Sequence, residues 1–260
     1  VIKNVKQLFS KDELENTMSI MFGRKSLSVS RSRCAVVTGS SKLYENNIEW
    51  WLNCLREENK DIPIIFYDFG LSDRGKRYLE SAPNCQLVTG IFDTQKFEWS
   101  FKQRACIDSS KYAEKILWLD QDCEVFGCLE PIFLRVNHFL EFVISRDLPQ
   151  LRYPNDPYLY FNQRQAGVFC CFSKNPILDC WASSKDSYLN DQVAISAILD
   201  QKILGVKEVV LDPQYHWPRL FVQHYLDNKF SSPTIIHWTG EEGLKIIELR
   251  KAEKQKEMSL

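Results

Sequence analysis

Asp120 and Asp122 stand one residue apart in Ile116-Leu117-Trp118-Leu119-Asp120-Gln121-Asp122-Cys123-Glu124. An apolar run ends abruptly in two carboxylates. If the chain stays extended for one more step, both point to the same side. Two like charges that close repel, and burying them is costly unless a cation bridges them. Oxygen donors suit a hard divalent ion, Mg²⁺ or Mn²⁺. The bland alternative is that one or both aspartates cap a turn. The apolar lead-in favours the metal reading, since it places the pair at the end of a buried strand.

His237 follows another apolar stretch, Thr234-Ile235-Ile236, and leads into Trp238-Thr239-Gly240. An imidazole there is either a hydrogen-bonded structural group or a further metal ligand. His216, in Tyr215-His216-Trp217, is a weaker candidate ligand; His138 and His224 read as structural. Asp191 follows Asn190, a suitable helix N-cap. An acid in a first helical turn is favoured by the helix dipole, and a carboxylate is also a candidate general base.

The elements that must position these groups alternate. Residues 1–33 read as a peripheral helix, with Leu14, Met18, Met21 and Phe22 at helical spacing and Ser10 and Glu13 as a capping box, followed by a loop. Strands are expected at Ala35–Val37, Ile62–Tyr67, Gln86–Val88 and Lys115–Leu119, the last central. Helices are expected at Leu43–Glu58, Asp73–Ser81 (capped by Ser72) and Trp99–Ser110. Further on, strands are expected at Phe139–Ser145, Gly167–Phe172, Glu208–Leu211 and Thr234–Ile236. Helices are expected at Asn190–Leu199 and Glu241–Lys256, and a long aromatic loop at Leu148–Asn162. Trp50 and Trp51 read as core. The alternation implies an α/β fold with a mixed, mostly parallel central sheet covered by helices on both faces. Ligands bind such sheets at the carboxyl ends of the strands, so loops 38–42, 68–72 and 120–124 should share one edge.

Composition bounds the partners. The 260 residues carry 33 Lys and Arg against 34 Asp and Glu, for a net charge of −1. That balance excludes a broad nucleic-acid-binding face. With 44% apolar and 26% charged residues the chain is of ordinary globular type. Nine cysteines include no C-x-x-C pair, and several lie in apolar runs, so buried reduced thiols are expected. No N-x-S/T site and no transmembrane-length apolar run occurs. These features point to a cytoplasmic protein. The sequence opens on Val1 without Met, consistent with trimming from a longer chain.

Two reaction classes use a strand-end D-x-D. One is the Mg²⁺-dependent phosphatase of the haloacid-dehalogenase type, with Asp120 as nucleophile. Its pattern asks for Thr or Val where this chain has Glu124, and three strands precede the motif here. The other is the nucleotide-sugar glycosyltransferase. The motif order over roughly residues 34–245 resembles the GT-A fold glycosyltransferases, in the group containing glycogenin and lipopolysaccharide galactosyltransferases. The matching segments are Val36-Val37-Thr38-Gly39, Asp68-Phe69-Gly70-Leu71-Ser72, Asp120-Gln121-Asp122, Gln165-Ala166-Gly167-Val168, Asn190-Asp191-Gln192 and His237-Trp238-Thr239-Gly240.

The resemblance implies a GT-A (Rossmann-like) α/β/α sandwich spanning 34–260. Its parts would be a nucleotide-binding half at 34–124, an acceptor half at 125–245 and a terminal helix at 246–260. It implies Mn²⁺ or Mg²⁺ on Asp120, Asp122 and His237. It implies a nucleotide-sugar donor, a UDP-sugar favoured, contacted by Thr38, Gly39, Tyr44, Asp68, Lys102, Arg104, Asp120, Gly240 and Lys245. Asp191 and Gln192 would face the reacting sugar, in a retaining, hexosyltransferase-like enzyme acting on a glycan, lipid or protein acceptor. The aromatic segment Tyr153–Phe161 is a candidate acceptor wall, which ordinary loop packing explains equally well. Two departures stand out. Gly243 occupies the place of a diphosphate-holding Lys, with Lys245 two residues further on, and Gln165 replaces an Asn. A sugar-nucleotide-binding or glycan-binding protein with a degenerate site is the alternative they motivate.

Overall fold

The computed structural model describes residues 32–93, 100–146, 163–188, 190–202, 204–219 and 232–257. The expected N-terminal helix, the aromatic segment Tyr153–Phe161 and His224 lie outside the described residues. The first half alternates as expected: β1 (Ser32–Ser40), α1 (Ile48–Glu58), β2 (Ile64–Asp68), α2 (Asp73–Ser81), β3 (Cys85–Val88), α3 (Phe101–Asp108) and β4 (Ala113–Leu119). Then come β5 (Cys123–Val125), α4 (Glu130–Leu134), β6 (Glu141–Arg146), β7 (Arg164–Phe172), α5 (Pro176–Ser183) and α6 (Asp191–Gln201). The described chain finishes with β8 (Lys207–Val210), β9 (Trp217–Pro218), β10 (Ile235–His237) and α7 (Gly240–Glu257).

The seven-stranded sheet has the order β3-β2-β1-β4-β7-β6-β8, which puts β4 at its centre. Strands β1 to β4 pair in parallel and only β7 runs against its neighbours, so the sheet is mixed and mostly parallel. Alternate residues of β1, β2 and β4 enter two separate cores. Val36, Phe66, Leu117 and Leu119 pack with Trp51 and Leu55 of α1 and Ile247 of α7. Val37, Ile65, Ile116 and Trp118 pack with α3, α5 and α6 on the other face. Both faces are thus covered, as an α/β/α sandwich requires. No helix among the described residues is long and apolar enough to cross a membrane. All nine cysteines are free thiols, six of them buried.

Helix ends follow local chemistry. Ser72 caps α2 by accepting from Gly75 N, and Asn190 caps α6 by accepting from Val193 N. One expected helix is shorter than its pattern. Leu43 and Tyr44 fall in a turn, and Glu45–Asn47 is a 3₁₀ turn before α1 begins at Ile48. Leu43 is 77% exposed, so the apolar spacing there reports no core contact.

A second, three-stranded sheet has the order β5-β10-β9; the expected strand Thr234–Ile236 is its β10, while β5 and β9 match no expected strand. Its strands are too short to show a period. It nonetheless arranges the site. β10 pairs antiparallel with β5, setting His237 opposite Cys123, and parallel with β9, setting Ile236 beside Trp217.

Candidate active site

The carboxyl ends of β1, β2 and β4 share one edge, as parallel pairing dictates. A cavity of about 490 Å³ opens there. Its walls include Gly39, Ser40, Tyr44, Phe69, Lys102 and Trp118. Asp120, Gln121, Asp122, Asp191, Gly240 and Glu241 complete much of the rest.

Asp120 and Asp122 take up the turn that leaves β4 for β5. Trp238 N donates to Asp122 O at 2.8 Å, tying that turn to the residue after β10. His237 Nε2 then lies 2.9 Å from Asp122 Oδ1 and 3.9 Å from Asp120 Oδ2. Gly167 of β7 makes room for the ring: a Cβ at that position would lie 2.2 Å from His237 Cε1. Asp120 N donates to Gly167 O at 2.9 Å, so the same glycine also anchors the motif.

Asp120 is held from several sides. Trp118 Nε1 donates to Oδ1 at 2.6 Å. Lys102 Nζ lies 3.0 Å from Asp120 Oδ1 and 3.0 Å from Asp191 Oδ2, and it donates to Ala166 O at 3.0 Å. One ammonium thus joins the D-x-D turn to the first residue of α6. Burial sets the charge balance. Desolvation pushes Asp120 up, against Lys102, with Asp122 adding to the rise. Burial also opposes ionisation of Asp122, but the attraction and hydrogen bond of His237 outweigh it, leaving that carboxyl below its usual range. Burial works against a charged His237, yet Asp122 first and Asp120 next raise its pKa above the ordinary value.

Asp122 and His237 are spaced as neighbouring ligands of a hard divalent cation, while Asp120 stands further from the imidazole and is engaged by Lys102 and Trp118. Ligand atoms on adjacent corners of an octahedron with bonds of ~2.1 Å sit roughly 3 Å apart, close to the spacing of Asp122 Oδ1 and His237 Nε2. Cys123 Sγ also lies near Asp122 and His237; burial pushes its thiol well above the ordinary value, and a sulfur donor suits softer ions than Mg²⁺ or Mn²⁺. Among the described residues, four carboxylates line the cavity, Asp120, Asp122, Asp191 and Glu241, against the one ammonium of Lys102. Without an added cation such a surface repels a phosphate ester.

Other expected residues fall in various places. Gly39 lies where a Cβ would meet the Phe69 ring at 2.4 Å, and Tyr44 is 44% exposed at the cavity. Gly240 lines the cavity with φ +74°, a left-handed conformation suited to glycine. Thr38 is buried, and its Oγ1 donates to Leu119 O at 2.7 Å, stitching β1 to β4. Asp68 accepts from Gly70 N and Leu71 N and pairs with Lys76, so it closes its own turn. Arg104 is exposed and sits over the Phe92 ring. Lys102 and Arg104 are two residues apart, about 200° round a helix, so α3 turns only one of them to the site. Gln192 is half-buried beside Asp191 and does not line the cavity. Lys245 is exposed and paired with Glu242. A side chain at Gly243 would overlap Trp238 O, its Cβ only 1.8 Å away, so this helix start has no room for a lysine there.

Sequence reasoning missed two contributors. Gln121 lines the cavity, and its buried side-chain N and O have no hydrogen-bond partner among the described residues. Glu124 is buried and accepts from Trp238 Nε1 at 2.8 Å and Arg250 Nε at 2.7 Å. The available signal was a polar residue in an otherwise apolar β5, which calls for a buried partner.

Neither the protein-family models nor the curated proteins contain a match to this sequence. Solved structures do match. The galactosyltransferase LgtC, in complex with donor and acceptor sugar analogues, aligns with a TM-score of 0.56 at 14% identity, over 80% of this chain and 87% of that one. The glycosyltransferase GlyE of Streptococcus pneumoniae aligns with a TM-score of 0.56 at 15% identity, over 80% of this chain and 56% of that one. Mouse xyloside xylosyltransferase 1 aligns with a TM-score of 0.51 at 12% identity, over 81% and 98%. At such identities the likeness is one of architecture, and it shows that the chain adopts the GT-A fold of glycosyltransferases.

Proposed function

We propose that the protein is a divalent-metal-dependent glycosyltransferase that moves a sugar from a nucleoside-diphosphate sugar to an acceptor hydroxyl. The observation that carries this reading is the meeting of Asp122 and His237, with Asp120 3.9 Å from the same imidazole, beside a cavity whose described lining is acidic. Those three residues would hold Mn²⁺ or Mg²⁺. When bound, the ion supplies Lewis-acid neutralisation of the charge that develops on the diphosphate leaving group.

The chain's own residues divide the remaining work. Tyr44 offers an exposed ring against which a base can stack. Gly39 lets the backbone approach the ligand closely, with the Phe69 ring filling the space a side chain would need. Lys102 fixes Asp120 and Asp191 relative to each other and keeps a cation between them. Asp191 faces the cavity from the start of α6 and is the group assigned to the reacting sugar, with Gln192 next to it. Because Lys245 turns to solvent and the three donors of Lys102 are taken by Asp120, Asp191 and Ala166 O, among the described residues the diphosphate would be left mainly to the metal. The donor assigned first is a UDP-hexose, with transfer retaining the anomeric configuration to a glycan, lipid or protein acceptor.

A panel of UDP- and GDP-sugars incubated with Mn²⁺ tests this. Release of nucleoside diphosphate from at least one, abolished by EDTA and by Asp122→Asn, is the expected result. No release from any sugar nucleotide would overturn the reading. Binding without release would replace it with a sugar-nucleotide-binding protein, the alternative that the solvent-facing Lys245 favours.

A further inference from the structure

We propose that His216 is a positioning residue that holds His237 in the tautomer and ring plane needed to bind the metal. The inference rests on the metal reading above. His216 Nε2 lies 2.8 Å from His237 Nδ1, and the rings meet edge to edge, with centroids 5.0 Å apart and planes at 29°. Both side chains are buried. On its other side, His216 Nδ1 contacts Ser145 Oγ, at the end of β6. Both nitrogens of His216 are therefore engaged, which removes it as a ligand in its own right.

The direction of this chain follows from proton counting. Only one proton fits between two ring nitrogens. For Nε2 of His237 to present a lone pair to a cation, a neutral ring must carry its proton on Nδ1. That N–H then donates to His216 Nε2. His216 in turn carries its proton on Nδ1 and donates to Ser145 Oγ. Metal-bound histidines are commonly oriented through the other ring nitrogen in this way.

Packing reinforces the assignment. A Cβ at Gly167 would lie 2.2 Å from His237 Cε1, so the ring is confined on that side by β7. β10 sets His237 opposite Pro218 and Ile236 opposite Trp217, so His216, just before β9, lies diagonally from His237 and its ring reaches across to Nδ1. Three otherwise separate segments thus converge to orient one imidazole.

The test is Mn²⁺ titration of the full chain followed by electron paramagnetic resonance, without nucleotide, with circular dichroism to report folding. His216→Phe removes the acceptor while keeping a ring, and should raise the Mn²⁺ Kd by about 10–100-fold. His216→Gln restores an acceptor oxygen and should recover most of the affinity. Ser145→Ala should give a smaller loss with the fold intact. Wild-type affinity in His216→Phe, or equal losses in the Phe and Gln variants, would overturn the proposal. If His216→Phe does not fold, unchanged Mn²⁺ affinity in Ser145→Ala would overturn it instead. A wild-type chain that binds no Mn²⁺ would mark failure of the metal reading itself, and this inference would fall with it.

Discussion

Asp122 and His237 share a 2.9 Å contact that a cation must enter, so their chemistry is separable from the fold. Asp122→Asn keeps the volume and removes the charge. It should abolish detectable Mn²⁺ binding while shifting stability by less than about 1 kcal/mol, read by Mn²⁺ titration and urea unfolding. Full Mn²⁺ affinity in that variant would remove Asp122 from the ligand set. Gly167→Ala acts sterically, since its methyl would overlap the His237 ring. It should cost about 1–3 kcal/mol and weaken Mn²⁺ binding together, because the ring cannot stay in place. A stable variant with normal affinity would show that the ring has other room. Among single residues, the D-x-D and His237 were legible because a charged group ending an apolar run calls for a reason. His216, Gly167 and Glu124 act on partners far along the chain, and spacing within one segment does not reveal such partners. Thr38 and Asp68 match recognisable segments, yet other bonds occupy them: Thr38 donates across to Leu119 O of β4, and Asp68 closes its own turn.

At the scale of elements, the first four strands and their helices were readable, because burial on both faces makes β1, β2 and β4 continuous apolar runs. Of the small sheet only β10 was, as Thr234–Ile236, although the sheet sets His237 opposite Cys123. Strands of two or three residues carry no periodic signal, and long-range pairing decides them. The start of α7 forms part of the cavity wall through Gly240, Glu241 and Leu244. Buried Glu124 fastens this helix through Trp238 and Arg250. Arg250→Ala leaves that carboxylate with one fewer donor and should cost about 2 kcal/mol, less than a fully buried pair because the arginine is partly exposed. Nucleotide affinity should fall while Mn²⁺ affinity stays near wild type, since Asp120, Asp122 and His237 are untouched. Unchanged urea stability would show that α7 is held by its apolar contacts alone.

Taken whole, the molecule carries almost no net charge, while among the described residues its cavity gathers four carboxylates around one lysine. Among the described residues, the cavity therefore offers an anionic donor less positive charge than it needs, and an added cation would supply it. The thiols fit the same picture of hard rather than soft metal chemistry. Burial raises Cys54, Cys85 and Cys180 to about 11, and Cys128 alone is exposed. At pH 8 Ellman's reagent should titrate about one thiol quickly in the native protein and all nine after denaturation. Several fast native thiols would contradict that burial. The dependence of nucleotide binding on metal is the most direct measurement: calorimetry of the intact chain with UDP and with GDP, in Mn²⁺ and in EDTA. Saturable binding of one nucleotide in Mn²⁺, lost in EDTA, is expected. Equal binding in EDTA, or no binding of either nucleotide in Mn²⁺, would contradict the assignment of Asp120, Asp122 and His237 as the metal site of a glycosyltransferase.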